Sequence, residues 1–282
     1  MQTKKLQTAA EYIRSAGALL ITAGAGMGVD SGLPDFRGPE GFWRAYPFAK
    51  NLGVSFEQMA NPRWFDTDPQ LAWAFYGHRL NLYRQTNPHQ GFKILLNWAK
   101  QKKDGYFVFT SNVDGQFQKA GFMENNIVEI HGSIHHLQCT LPCGDDIWPA
   151  EGVEVNIDEE SFRAQEPLPK CPFCGRIARP NILMFGDWSW ISLRTDAQEA
   201  RFSGWLEKIR RNKTPVAIIE IGAGTSVPTV RMTSESLARN LSAPLIRINP
   251  RDPHIPGGIE GVPFAAGALE TLTQLEKILS GK

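Results

Sequence analysis

A short apolar segment that runs directly into a glycine-rich turn constrains the fold more than any other feature of this sequence. Ala18 to Thr22 has the composition of a buried strand, and Gly24-Ala25-Gly26-Met27-Gly28 follows it. Glycines let backbone N–H groups approach a pyrophosphate closely, and the N-terminus of a following helix adds a favourable dipole. The spacing departs from G-x-G-x-x-G because Val29 stands at the third glycine position. The pattern predicts the start of a nucleotide-binding α/β unit, with a tight structural turn as the alternative.

Strand and helix patterns alternate along the rest of the chain. Residues 6–16 and 92–103 have the apolar spacing of amphipathic helices, and a last helix is expected from about 269 to 279. Apolar runs predict further strands at 106–110, 128–130, 181–185, 216–221 and 244–248. This alternation is typical of a parallel, doubly wound sheet, so we expect a Rossmann-like α/β fold.

Two stretches interrupt the α/β pattern. Residues 41–90 are rich in aromatic side chains, and residues 138–179 are rich in Cys, Pro, Gly and acidic residues. We therefore predict a helical insertion at 41–90 and a small zinc-binding module at 138–179. The Rossmann-like domain would then be discontinuous, with the segments 1–40, 91–137 and 180–282.

The cysteines form two knuckles with metal-ligand spacing. The sequence contains four of them: Cys139, Cys143, Cys171 and Cys174. Four thiolates suit a closed tetrahedral zinc site, which is structural because no coordination position stays open for water. Clustered cysteines in a reducing compartment favour metal over disulfides, and redox-active or merely buried cysteines are the alternative. His135 and His136 could compete as ligands, but four sulfurs suffice, so we expect these histidines at the surface beside the module.

The overall charge is close to neutral. A net charge of +1 and a pI near 7.7 give no indication of a nucleic-acid or membrane surface. No run approaches the roughly 20 apolar residues of a membrane span. Glu11 and Arg14 interrupt the Ala/Leu-rich N-terminal stretch, which indicates an amphipathic helix rather than a signal peptide. We expect a cytoplasmic monomer with no membrane or direct nucleic-acid partner.

The glycine turn belongs to a longer motif. Residues 24–37 read GAGMGVDSGLPDFR, which resembles the sirtuin (Sir2) signature, in which a glycine loop runs into Gly-Ile-Pro-Asp-Phe-Arg. Further segments resemble the family in the right order: Thr110-Ser111-Asn112-Val113-Asp114 with Ala120-Gly121, Glu129-Ile130-His131-Gly132, Arg179-Pro180 to Phe185-Gly186-Asp187, Gly224-Thr225-Ser226, and Ile248-Asn249. Together they span residues 24–249, and the chain is similar to bacterial-type NAD-dependent protein deacylases of this family.

The resemblance implies a reaction and a set of roles. An acyl-lysine protein or peptide would be deacylated with NAD, releasing nicotinamide and O-acyl-ADP-ribose. His131 would be the general base, since a histidine with a pKa near 6.5 accepts a proton at neutral pH. Asn112 would hold the ribose and a positioned water, and Asp114 would orient the nicotinamide amide. Further NAD contacts are implied for Gly24, Ala25, Gly26, Asp35, Phe36, Arg37, Gly224, Thr225, Ser226 and Asn249, with Phe36 shielding the ribose.

Substrate contacts are implied in two places. Phe185 and Gly186 lie in the segment that resembles the family's peptide-pairing strand. Tyr76 and Arg79 are three residues apart in a predicted helix over 70–84, so they share a face. The pattern Tyr-x-x-Arg resembles the pair with which one sirtuin class binds acidic acyl groups such as succinyl. The chemistry is suitable, because a guanidinium pairs bidentately with a carboxylate and a phenol adds a hydrogen bond. The alternative interpretation of the pattern is an ordinary amphipathic helix with an exposed arginine.

The sequence departs from the family pattern at several positions. Gly28 stands where serine is usual, Ser111 where glutamine is usual, Phe117 where histidine is common, and Asp187 where glutamate is usual. The first cysteine knuckle has three intervening residues instead of two. These differences affect the NAD ribose and the peptide cleft, and they put efficient turnover of acetyl-lysine in question.

Three classes of function remain open from the sequence. The first is NAD-dependent protein deacylation, with deacetylation or desuccinylation as the reaction. The second is mono-ADP-ribosyl transfer or NAD hydrolysis on the same fold, which Ser111 keeps open and which has less need of His131. The third is a catalytically silent NAD- or ADP-ribose-binding module, which is hard to reconcile with Asn112, Asp114 and His131. The sequence does not identify the protein substrate.

Overall fold

The structure, a computed structural model, describes residues 2–35, 38–158 and 160–281. These residues contain the strands β1 (Ala18–Ala23), β2 (Tyr106–Thr110), β3 (Ile127–Glu129), β4 (Gly132–Cys139), β5 (Trp148–Pro149), β6 (Ile157–Asp158), β7 (Arg163–Ala164), β8 (Ala178–Ile182), β9 (Val216–Ile221), β10 (Leu245–Ile248) and β11 (Gly261–Phe264). They also contain the helices α1 (Gln2–Ser15), α2 (Gly38–Ala45), α3 (Pro47–Asn51), α4 (Phe56–Met59), α5 (Trp64–Thr67), α6 (Pro69–Gln85), α7 (Gln90–Lys100), α8 (Gln116–Lys119), α9 (Leu193–Asn212), α10 (Thr229–Leu241) and α11 (Ala268–Ser280).

A six-stranded parallel sheet forms the centre of the larger core. Its order is β11-β10-β9-β1-β2-β3. Successive side chains of β1 point to opposite faces: Leu19 and Ile21 pack with α1, α7 and α11, while Ala18 and Leu20 pack with α9 and α10. Both faces are covered, as parallel sheets require. The prediction of a Rossmann-like parallel sheet is confirmed.

The order of the strands places a crevice beside β1. From β1 the chain proceeds outward to β2 and β3 on one side, and later to β9, β10 and β11 on the other. In open α/β sheets, ligands bind at the carboxyl ends of the strands where the order reverses. Gly24 follows β1 and Gly222 follows β9. A Cβ on Gly24 would lie 2.8 Å from the Ala223 Cα, so glycine allows the two loops to meet here.

A second core lies over this crevice and is rich in aromatic side chains. It combines α2 to α6 with a three-stranded antiparallel sheet of order β5-β4-β8. Helix α6 begins with Pro69, and the Asp68 side chain caps it by accepting a hydrogen bond from Leu71 N at 3.2 Å. Phe42 and Tyr46 contact Phe75 of α6 edge to face, with ring centroids 6.0 and 5.1 Å apart. This packing buries the inner face of α6.

Several local predictions are confirmed and others are wrong. The strands at 106–110 and 216–221 have the predicted bounds. The helix expected after the glycine turn is wrong, because Ala25–Met27 and Val29–Ser31 form two 3-10 turns separated by Gly28. The strand predicted at 181–185 lies instead at Ala178–Ile182, where it pairs antiparallel with β4 and not within the parallel sheet.

The sequence patterns also missed several elements, among them α9, α10, β4 and β11. Helix α9 is largely polar and buries few side chains, so its periodicity is weak. Strand β4 carries two histidines and a glutamine, and the short β11 contains a proline. Strands β4 and β8 run across residues 137–138 and 179–180, where domain boundaries were predicted, and the division into domains stays a prediction. None of the helices in the described ranges is long and apolar enough to cross a bilayer.

Candidate active site

A cleft of about 740 Å³ opens at the carboxyl ends of β1, β2 and β9, between the two cores. It brings together most of the residues selected from the sequence: Gly24, Ala25, Asp35, Tyr76, Arg79, Asn112, Asp114, His131, Phe185, Gly224, Thr225 and Ser226. These residues come from positions 24 to 226 of the chain, and the fold places them around one cavity at the switch point of the sheet.

Five further residues were predicted to contact NAD or substrate: Gly26, Phe36, Arg37, Gly186 and Asn249. Phe36 and Arg37 are outside the described residues. Gly26, Gly186 and Asn249 are not among the residues that line the cleft. Gly26 N donates to Gly222 O at 3.1 Å, so this glycine joins the two loops. The direct contacts predicted for these residues with NAD or substrate stay predictions.

Asn249 is fully buried behind the cleft wall. Its Oδ1 accepts hydrogen bonds from the backbone N of Arg251 and of Asp252, both at 3.0 Å, and its Nδ2 donates to Ala223 O at 2.7 Å. Arg251 and Asp252 themselves line the cleft. Asn249 thus shapes the loop that carries them. Sequence reasoning missed both, although Asn249-Pro250 is a turn signal directly before them.

Asn112 joins the loops that follow β1 and β2. Its Nδ2 donates to Gly24 O at 3.0 Å, and its backbone N donates to the Thr110 hydroxyl at 3.0 Å. That hydroxyl in turn donates to Ala23 O at 2.9 Å. These bonds hold the Asn112 side chain at the base of the cleft, beside the glycine turn.

His131 lies between β3 and β4 and is held from both sides. Leu183 N donates to its carbonyl oxygen at 3.0 Å. Burial lowers the pKa of the His131 ring below its ordinary 6.5, and a hydrogen bond with the backbone of Ser111 opposes this shift more weakly. The ring is therefore neutral at pH 7, which is the form that a general base requires.

Asp114 is buried in the same wall. Burial raises the pKa of its carboxyl to about 6, although a hydrogen bond from Gln116 N at 2.9 Å favours the ionised form. His135 Nε2 donates to the Asp114 carbonyl oxygen at 2.9 Å and supports this turn.

The prediction that His135 and His136 lie at the surface is wrong, because both are half-buried on β4.

The end of the cleft formed by α6 is aromatic and positively charged. Arg79 is only 6% exposed, and its guanidinium carbon lies 5.3 Å from the Phe75 ring centroid, 5.7 Å from that of Tyr76 and 5.5 Å from that of Tyr83. Tyr76 Oη is buried and has no hydrogen-bond partner within the described residues. Tyr83 also lines the cleft. It was missed, although its position four residues after Arg79 places it on the same helix face.

The segment after β8 forms another wall. Phe185 N donates to Ala60 O and Asn61 Nδ2 donates to Phe185 O, both at 2.9 Å. Both backbone groups of Phe185 are therefore bonded within the chain. Asp187, expected from the resemblance on a peptide-binding strand, is instead fully buried in an ion pair with Arg179.

The cysteine cluster is separate from the cleft. Cys139 and Cys174 have sulfurs 3.6 Å apart, and those of Cys143 and Cys171 are 3.7 Å apart; all four lie within 4.8 Å of one another. A Zn–S bond of about 2.3 Å in tetrahedral geometry places sulfurs about 3.8 Å apart. These separations fit zinc and exceed the S–S bond of a disulfide, which is about 2.05 Å. None of the four lines the cleft, so a bound zinc would be structural.

The sheet and its switch-point cleft define a nucleotide-binding α/β protein, and its four clustered cysteines could hold a structural zinc ion. The sequence profile of the Sir2 family matches residues 24–201, and the chain belongs to that family. An NAD-dependent protein deacylase from Aquifex aeolicus is 27% identical over 83% of this chain and 84% of its own length. A second NAD-dependent protein deacylase, from Thermococcus kodakarensis, is 32% identical over 69% of this chain and 68% of its own length. A crystal structure of a Sir2 homologue with NAD has the same fold, with a TM-score of 0.67, 24% identity, and coverage of 100% of this chain and 94% of that one.

Proposed function

We propose that this protein is an NAD-dependent protein-lysine deacylase and that the cleft is its active site. The observation that carries the proposal is the meeting of Asn112, Asp114 and His131 in one cavity at the switch point of the sheet. Relatives named as NAD-dependent protein deacylases support the reaction class. The substrate would be an acylated lysine side chain of a protein or peptide.

The residues around the cleft divide into binding roles. Ala25 and the loop 224–226 flank the switch point, where a pyrophosphate would lie against backbone N–H groups. Asn112, held by Gly24, would present its amide to the ribose and to a positioned water. Asp114 would accept a hydrogen bond from the nicotinamide amide in its ionised form. When bound, NAD supplies the ribose carbon from which nicotinamide leaves and to which the acyl oxygen becomes bonded.

His131 would act as the general base. Its lowered pKa keeps the ring neutral, so it would be able to accept a proton from a ribose hydroxyl of bound NAD. The carbonyl of His131 is held by Leu183 N, and its ring is held by the backbone of Ser111. These contacts orient the ring and leave its other nitrogen able to accept a proton.

Tyr76 and Arg79 support a preference for acidic acyl groups such as succinyl. A buried guanidinium is best compensated by a carboxylate, with which it forms paired hydrogen bonds. Burial raises the pKa of Tyr76 above its ordinary value, so its Oη keeps a proton that it can donate. A succinyl carboxylate could accept hydrogen bonds from both side chains, whereas a neutral acetyl group has no carboxylate to offer them.

The test is a mass-spectrometric time course with NAD and matched acetyl-, succinyl- and unmodified-lysine peptides. We expect deacylated peptide with stoichiometric O-acyl-ADP-ribose, and both products should be lost in His131→Ala. Arg79→Met should lose turnover of the succinyl peptide selectively. Release of nicotinamide without deacylation of any peptide would contradict the proposal and would favour ADP-ribosyl transfer or NAD hydrolysis.

A further inference from the structure

The cleft contains a third polar residue of α6 beside Tyr76 and Arg79. We propose that Tyr83 is a positioning residue for acidic acyl groups, acting by holding the guanidinium of Arg79 in the cleft wall. The inference rests on the proposed function and identifies a residue that would set the substrate class of that site.

The contact between the two side chains fixes the guanidinium at one nitrogen. Arg79 Nε donates to Tyr83 Oη at 3.0 Å, and Tyr83 is 5% exposed. Nε is the guanidinium nitrogen nearest the stem, so a bond there limits rotation of the whole planar group. The two Nη nitrogens carry the further N–H groups that can pair with a carboxylate.

Fixing the group in advance matters because arginine is long and flexible. A guanidinium that must be ordered on binding loses rotamer freedom, and this loss weakens the affinity for its ligand. In this protein the rings of Phe75, Tyr76 and Tyr83 surround the group, but aromatic faces attract a cation with little directional preference. The hydrogen bond to the Tyr83 hydroxyl is a directional contact, which the ring faces do not provide.

Tyr83 is itself connected to Asp114 through the side chain and backbone of Gln116. Gln116 Nε2 donates to Tyr83 O at 3.4 Å, and Gln116 N donates to Asp114 Oδ1 at 2.9 Å. Gln116 is 1% exposed. Burial raises the pKa of the Tyr83 phenol, so the group stays protonated while it accepts the bond from Arg79. The last turn of α6 is thus held at a fixed position relative to Asp114.

The same aromatic core offers a matched control. Tyr46 is 1% exposed and its Oη is hydrogen-bonded to His78 Nδ1 at 3.0 Å, but it does not line the cleft. Tyr46→Phe and Tyr83→Phe each remove one buried hydroxyl and retain the ring. A general loss of core stability would affect both variants, whereas a loss of acyl recognition should be confined to Tyr83→Phe.

The experiment measures binding of fluorescent succinyl-lysine and acetyl-lysine peptides of one sequence by anisotropy, without turnover. Tyr83→Phe should lower the ratio of succinyl to acetyl affinity about tenfold, since hydrogen bonds to charged groups are among the stronger ones. Arg79→Lys should do the same, because it keeps the charge but has no Nε, and Tyr46→Phe should leave the ratio unchanged. In an Arg79→Met background, Tyr83→Phe should have no further effect on the ratio.

Three results would each overturn the inference. Tyr83→Phe could weaken the binding of both peptides equally, or it could lower the succinyl-to-acetyl affinity ratio as much in the Arg79→Met background as in the wild type. The third result is a wild-type protein that binds the two peptides with equal affinity. Turnover with NAD is measured separately on the same proteins. Absence of deacylation together with the expected binding ratios would contradict the proposed function and leave the role of Tyr83 supported. The two failures are therefore distinguishable.

Discussion

Arg179 and Asp187 form a bidentate ion pair across the turn that follows β8. Arg179 Nη1 lies 2.6 Å from Asp187 Oδ2 and Nη2 lies 2.9 Å from Oδ1, and the two side chains are 1% and 0% exposed. The same carboxylate accepts a hydrogen bond from Ser189 N at 3.1 Å. Because Phe185 of this turn lines the cleft, the pair fixes one cleft wall to the antiparallel sheet. An aspartate is long enough for this internal role.

Asp187→Asn should therefore destabilise the protein. The change leaves the Arg179 charge buried without its counter-charge, and breaking a buried pair in this way costs about 3–5 kcal/mol. The measurement is the free energy of unfolding in urea. Glu11→Gln is the control, because Glu11 pairs with Arg14 at the surface, where the side chains are 64% and 52% exposed, and it should change little. Similar small effects for both variants would contradict a structural role for the buried pair.

Gly132→Ala should disturb the position of His131. Gly132 has a φ of +75°, and a Cβ there would lie 2.1 Å from Asn181 O. Either the backbone around His131 or strand β8 must then shift, so we expect loss of deacylase turnover together with a lower melting temperature. Gly152→Ala separates the two causes: its φ is also +75°, but a Cβ there meets nothing within 4 Å. Gly152→Ala should lower the free energy of unfolding by the cost of the backbone strain alone, about 1–2 kcal/mol. It should keep full turnover of the acyl peptide.

The sheet and most of the cleft were predictable because their signals are local. Strands such as Val216–Ile221 are apolar except for Glu220, and parallel strands bring their carboxyl ends together whatever the intervening chain. Asn112 and His131 were assigned from the segments that resemble the Sir2 family, and each lies two residues past the end of a strand of the parallel sheet. Tyr76 and Arg79 could be paired because helical spacing determines a shared face.

The parts that were missed depend on contacts between distant segments. The turns after Gly24 are held by Gly222, almost 200 residues later, so nothing local distinguishes them from a helix start. Strand β8 pairs with β4 and is not part of the parallel sheet, which composition alone does not reveal. His135 is half-buried because it supports the Asp114 turn, and a histidine beside a cysteine knuckle gives no sign of that contact.

Removal of zinc should unfold the zinc-binding module, and deacylase turnover should fall only because folded protein is lost. The purified protein should contain about one zinc ion per chain, as structural tetrahedral sites do. Because Cys139 and Cys171 are buried against the second core, a chelator or Cys171→Ser should lower the melting temperature, and turnover should fall in parallel with folded protein. Zinc content is measured by plasma mass spectrometry and fold by circular dichroism.

His136→Ala is the control for the ligand set. It should retain the full zinc content, since four sulfurs already complete the coordination. Loss of zinc in that variant would show that a histidine replaces one of the thiolates. A metal-free protein with an unchanged melting temperature would contradict the structural role.

Asp114 and His131, which both line the cleft, should affect different kinetic constants. The pKa of Asp114 is raised to about 6, so its carboxylate is protonated below that pH and no longer accepts a bond from the nicotinamide amide. The KM for NAD should therefore rise, by up to about tenfold per pH unit, as the pH falls below 6. The pKa of His131 is lowered below 6.5, so the neutral base persists to more acidic pH than for an ordinary histidine. The fall in kcat should accordingly begin below pH 6.5.

Initial rates between about pH 5 and 8 separate these effects, since this range extends to both sides of the raised pKa of Asp114 and of the ordinary pKa of histidine. Asp114→Asn should remove the pH dependence of the KM for NAD, because its amide does not titrate, while the profile of kcat keeps its acidic limb. A KM for NAD that is independent of pH in the wild type would contradict the binding role of Asp114. A limb of kcat centred above pH 6.5 would contradict His131 as the base, since burial shifts its pKa in the opposite direction.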